Sequence, residues 1–125
     1  MGKEWDKWLK DRELGKREMV IWVITTIRVK KDAKDEDDVI WRSTRSIGFT
    51  STYELAEEMV LENANDMYEC GYYRYVVIEE TWEGAHRYRP DKEVWFEWIG
   101  DVETGGYRKV LKPEIFKRVC GFGLG

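Results

Sequence analysis

STYELAEEMVLENANDMYECGYYRYVVIEE, Ser51 to Glu80, reads as a capped helix, a tight exit and a buried strand. Ser51 stands at an N-cap position and Glu54 follows three residues later, the spacing of a capping box. Glu57 and Glu58 sit near the positive end of the helix dipole. Leu55, Ala56, Met59, Val60, Ala64 and Met67 recur at three-to-four spacing and draw one apolar stripe. Glu54, Glu57, Glu58, Glu62 and Asn65 fall away from it. The stripe predicts a long helix ending near Asn65–Asp66 or one turn later, with Cys70-Gly71 as the stop signal. Tyr73 to Trp82 is then β-branched and aromatic. Val76 and Ile78 point to one face, Tyr75 and Val77 to the other, the pattern of a central strand covered on both sides.

Working outward, Met19 to Lys31 is a strand with Met19, Ile21, Val23, Ile27 and Val29 on one face. Val20, Trp22 and Ile24 cover the first half of the other face, which turns polar at Thr26, Arg28 and Lys30 and runs into solvent. Lys31 to Asp38 is a charged hairpin loop, and Val39 to Phe49 a return strand with Gly48 marking a bulge. Beyond the central strand, Glu83 to Pro90 is a loop. Val94, Phe96 and Trp98 alternate against Trp95 and Ile99 in a further strand, and Tyr107 to Leu111 returns. Pro113 opens a short helix anchored by Ile115, Phe116 and Val119. Met1 to Glu18 is an N-terminal arm or short helix with Trp5, Trp8 and Leu9 on one edge. The chain therefore predicts a single α+β domain over residues 1–125, with the core in 19–125. Its sheet is mostly antiparallel, one long helix packs on a face, and short helices sit at the N- and C-terminal ends.

Composition excludes several classes. At 125 residues, 42% hydrophobic and 14% aromatic, the chain can bury a core. No apolar run approaches the ~20 residues of a membrane span, so no membrane association is expected. Cys70 and Cys120 form neither a disulfide framework nor a metal spacing, and a reducing cytoplasm is the expected location. The net charge is −4, of which the run Lys31 to Asp38, with five acids and two lysines, carries −3. A near-neutral remainder lacks the basic footprint of a nucleic-acid-binding protein. The acidic run lacks the central Gly and terminal Glu of an EF-hand loop. No metal and no cofactor is expected.

Catalytic motifs are equally sparse. His86 is the one histidine, beside Arg87 in a loop, with no nucleophile elbow elsewhere. Either Glu79 or Glu80, but not both, can meet Glu97 as a cross-strand carboxylate pair, since neighbours on a strand face opposite ways. The Cys120 to Gly125 tail is Gly-rich and apolar, lacks the Lys-Ser/Thr of a phosphate loop, and reads as an ordered edge or subunit contact. No catalytic residue is assigned. The stronger signal is arginine with aromatics: Arg42, Arg45, Arg74, Arg87 and Arg89 around Trp95 and Trp98. Guanidinium groups fork anions and stack on rings, which suits a nucleotide-type ligand. Asn63, Asp66, Tyr68 and Glu69 at the helix exit form a second ligand-binding candidate.

Arg45-x-x-Gly48-Phe49, Asn63-x-x-Asp66-x-Tyr68-Glu69, Tyr73-x-Tyr75-x-Val77-Ile78-Glu79, Gly84, Trp95-Phe96-x-Trp98, Lys112-Pro113 and Gly121-Phe122-Gly123 together set the chain beside a known group. Over roughly residues 40 to 125 it resembles small uncharacterised proteins encoded by bacteria and their phages. The resemblance carries no established activity. It implies an accessory or counter-defence protein that, without catalysis, sequesters a nucleotide-type signal or blocks a host protein; the apolar tail and the Trp-bearing N-terminal arm add the expectation of a homo-oligomer. The alternatives are a small enzyme acting on a phosphate-bearing substrate and a nucleic-acid-binding module.

Overall fold

The computed structural model describes residues 19–82, 92–117 and 122. The N-terminal arm, the His86 loop with Arg87 and Arg89, and the tail other than Phe122 lie outside the described residues. Five strands make one antiparallel sheet: β1 (Val20–Ile27), β2 (Arg45–Thr50), β3 (Tyr75–Trp82), β4 (Glu93–Ile99) and β5 (Gly106–Val110). Their order across the sheet is β2-β1-β3-β4-β5, which puts β3 in the middle. One α-helix among the described residues, α1 (Tyr53–Leu61), links the edge strand β2 to β3.

The expected long helix is a correction. It has nine residues, and Thr52 caps it instead of Ser51: Thr52 Oγ1 accepts from the Leu55 N–H at 3.3 Å. Asn63 ends it two turns before Cys70-Gly71. Its backbone turns left-handed at φ 50°, and its N–H donates to the Val60 carbonyl at 3.0 Å. Asn adopts that conformation at lower cost than most residues and so serves as a helix stop. The chain then winds on through further left-handed residues at Asn65, Asp66, Glu69 and Cys70. The apolar positions assigned to the last helical turns, Ala64 and Met67, still pack on the sheet, but from this irregular segment.

The two faces of the sheet have separate cores. On the α1 face, Ile24, Val76, Ile78, Phe96 and Trp98 meet Ala56, Val60, Met67 and Tyr107. On the other, Ile27, Tyr75, Val77 and Trp95 meet Val39, Phe116 and Phe122. Burial of Val76, Val77 and Ile78 to 0% exposure matches the sequence reading of a strand covered on both sides. β1 departs from expectation at Thr26, which is fully buried and donates to the Arg45 carbonyl. The return strand is shorter than expected as well. Trp41–Ser43 forms a 3₁₀ turn, and Trp41 and Phe49 are exposed instead of facing the core. A register shift between Ile24 and Thr25 makes the bulge beside Gly48. The C-terminal helix is one 3₁₀ turn, Glu114–Phe116, with Phe116 stacked on Trp95.

The acidic loop satisfies itself. Asp38 Oδ2 accepts from the Lys34 N–H at 2.7 Å, and Asp35 Oδ1 from the Asp37 N–H at 2.9 Å. The Lys34 amide in particular holds the Asp38 carboxyl below its ordinary range.

Two stability predictions follow from caps and burial. Thr52→Ala is expected to cost about 0.5–2 kcal/mol and Ser51→Ala close to nothing, read as urea midpoints by far-UV circular dichroism. Tyr107 is buried, its hydroxyl donates to the Tyr73 carbonyl at 2.6 Å, and burial raises its pKa. The folded state therefore favours the neutral phenol. That contribution is complete below the unfolded phenol value of about 10 and is progressively lost as pH rises from there toward the raised folded value. Urea midpoints should fall between about pH 8 and pH 11, and Tyr107→Phe should make the fall smaller while lowering stability at pH 8 by about 1–3 kcal/mol.

Candidate functional site

β1 ends at Ile27, and the chain beyond it carries Arg28, Lys30 and Lys31 along one wall of a groove of about 550 Å³. Tyr68, Gly71, Tyr72 and Arg74, from the segment leading into β3, form the facing wall, and Trp98 and Gly100 close one end. The lining brings four cationic side chains together against one acid, Asp32. The groove is thus positive on a chain of net charge −4.

Its aromatic wall is held from behind. The Tyr68 ring lies flat on Trp98, with centroids 3.8 Å apart and planes 4° from parallel. Trp98 is tied by its indole N–H to the Asp101 carbonyl at 3.0 Å. Arg28 Nη1 donates to the Tyr72 hydroxyl at 2.6 Å, and its guanidinium carbon lies 3.9 Å from the Tyr72 ring centroid. The Ser43 hydroxyl sits 3.1 Å from the same phenol oxygen. The Ser43 hydrogen bond, with the Arg28 charge beside it, moves the Tyr72 pKa down. Arg74 donates through Nε and Nη2 to Glu97 Oε2 at 2.9 and 2.6 Å. Arg74 is thereby pinned at the groove, while Lys30 and Lys31 make no ion pair among the described residues. An anion with a planar ring fits such a lining: ammonium and guanidinium groups meet the charge, and Tyr72 offers a ring face.

The sequence candidates do not converge on one place. Arg74, Tyr68 and Trp98 belong to the groove. Arg45, Asp66 and Glu69 line a second, smaller pocket beside β2, where Arg45 and Glu69 form an ion pair. Trp95 joins neither pocket: as the alternation along the strand has it, it lies on the opposite face from Trp98, buried against Phe116. Arg42 is exposed in the 3₁₀ turn and joins neither pocket. Asn63 is a local clamp, its Oδ1 accepting from the Tyr68 N–H at 2.9 Å. Arg87 and Arg89 lie outside the described residues. Sequence reading missed Arg28, Lys30, Lys31 and Tyr72. Arg28 and Lys30 read there as the solvated end of a strand, and only the fold brings Tyr72 across to them.

The carboxylate pair is also different from the one expected. Glu79 stands opposite Glu93, while Glu97 stands opposite Tyr75. Glu93 is nearly enclosed, with its side chain 5% exposed. Its Oε1 accepts from Lys112 Nζ at 2.9 Å and from the Trp95 indole at 3.2 Å, and its Oε2 has no hydrogen-bond partner among the described residues. Both Glu79 oxygens lie 3.1 Å from the Phe122 amide nitrogen. No group of three or more metal-ligating side chains occurs among the described residues. No helix among them is long and apolar enough to cross a membrane.

Lys112 pairs with the enclosed Glu93 carboxylate, so its loss breaks a largely buried ion pair. Lys112→Ala is expected to cost about 3–5 kcal/mol, and Glu93→Gln in the Lys112→Ala background to recover part of it, both read by thermal unfolding.

Comparison of the chain with known protein families, with curated proteins and with solved structures gives no match. Function is therefore inferred from the chemistry of the groove.

Proposed function

We propose that this chain is a non-catalytic binding protein that captures a nucleotide-type anion in the groove between Arg28–Asp32 and Tyr68–Arg74. The observation that carries the reading is the lining itself: Arg28, Lys30, Lys31 and Arg74 surround the exposed ring of Tyr72. Phosphate oxygens meet Lys30 and Lys31, and the base packs against the exposed part of Tyr72, between Arg28 and Tyr73. The groove supplies charge and ring surface, with Asp32 as the one carboxylate among its described lining residues. Binding without turnover is sequestration. It agrees with the counter-defence role implied by the resemblance to bacterial and phage accessory proteins, in which a signal nucleotide is withdrawn from a host sensor.

Isothermal titration of the full chain with mononucleotides, cyclic dinucleotides and inorganic phosphate tests the reading. A nucleotide is expected to bind more tightly than phosphate, and more weakly as salt rises. Arg28→Ala and a Lys30→Ala/Lys31→Ala double variant should each weaken it about tenfold or more at unchanged thermal stability. Equal affinity for phosphate and nucleotide, affinity unaltered in these variants, or release of a hydrolysed nucleotide overturns it.

A further inference from the structure

The second pocket, about 170 Å³, lies beside the edge strand β2, under the irregular segment that follows α1. Ile24, Met59 and Met67 give it an apolar floor, and Arg45, Asp66 and Glu69 form its rim. Gly48 opens onto it. A Cβ built there meets nothing within 4 Å, and its φ is not in the left-handed range, so the backbone does not require glycine. What the glycine leaves is room. Glycine inside a strand with space above it marks a place where another chain or a ligand comes close.

We infer that β2 and this pocket dock an extended segment of a partner protein, which adds a strand at β2 and lowers one large apolar side chain into the pocket. As an edge strand, β2 presents alternate N–H and C=O groups away from β1. In strand addition the main chain supplies the hydrogen bonds, and a pocket for an alternate side chain supplies the choice of sequence. A cavity of roughly 150 Å³ accepts a benzene-sized group, so the 170 Å³ here suits a leucine-sized anchor. The rim sets the charge of the flanks. Arg45 and Glu69 neutralise each other, while Asp66, among the described residues, bonds the neutral groups of Asn63 and Cys70. A lysine or arginine two residues from the anchor would fall on the same face and meet Asp66.

A second copy of this chain fits less well. Antiparallel two-fold pairing of β2 with itself continues the same face, so the copy would bring Arg45, Gly48 and Thr50 over the pocket, and none is an apolar anchor. Its Ile47 already lines its own pocket. The site is separate from the anion groove and does not depend on what that groove binds.

The test is selection of a displayed random peptide library on the full chain. The enriched sequences are expected to alternate, with a large apolar residue flanked two positions away by Lys or Arg. A synthetic peptide of that sequence should shift the amide resonances of Arg45–Thr50. Gly48→Leu, which fills the pocket, should weaken it about tenfold or more with the melting temperature and the nucleotide titration unchanged. Should Gly48→Leu fail to fold, Asp66→Asn gives the second reading, by removing the preference for flanking cations. The inference is overturned if no alternating pattern is enriched, if shifts map elsewhere, or if affinity is untouched by both variants. It is overturned equally if light scattering and amide exchange show β2 occupied by a second copy.

Discussion

β3 buries Val76 and Ile78 on one side and Tyr75 and Val77 on the other, so the sheet needs a cover on each face. On one side the cover is α1, nine residues or about 13 Å long. That is too short to span a five-stranded sheet whose strands lie about 4.8 Å apart. The segment after Asn63 completes the layer, with Met67 in the core and Tyr68 flat on Trp98. On the other side Phe116 and Phe122 cover Trp95.

The groove is a consequence of how that layer is finished. Left-handed residues turn the chain repeatedly between Asn63 and Gly71 and deliver Tyr72 and Arg74 to the end of the sheet where β1 runs out. Glu69 and Cys70 adopt this conformation at greater cost than Asn or Asp, and such cost is sustained only where the surroundings hold the backbone in place. Here the holding contacts are the Tyr68–Trp98 stack, the Asn63 clamp on the Tyr68 amide and the Glu69–Arg45 ion pair. Nearby acids in 35–38 spend much of their hydrogen-bonding capacity on their own backbone, and the Asp38 charge also lies close to Lys30 and Lys34.

At Glu79 opposite Glu93 the sheet works against itself, because like charges directly across a strand pair repel. Lys112, the Trp95 indole and the Phe122 amide bring positive charge and donors to the pair. These two acids thereby tie the chain after β5 to the face that Trp95 and Phe116 build.

Local pattern was enough for the strands and their faces. Alternation places Val76 and Ile78 against Tyr75 and Val77, and Phe96 and Trp98 against Trp95, because a strand reverses its side chains at each residue. The α+β class and the antiparallel sheet follow from the same pattern. Helix length did not, since the apolar stripe runs on through Ala64 and Met67 whether the backbone there is helical or not, and only the sheet beneath explains their apolarity. Nor could pattern decide partnership. Arg28 meets Tyr72 across 44 residues and Glu93 meets Glu79 by strand register. Arg45 and Arg74, alike in sequence as exposed cations, are directed by the fold to different pockets. Side-chain direction is a local property, whereas a site is a meeting of distant segments, and the packing of the whole domain alone determines which of them meet.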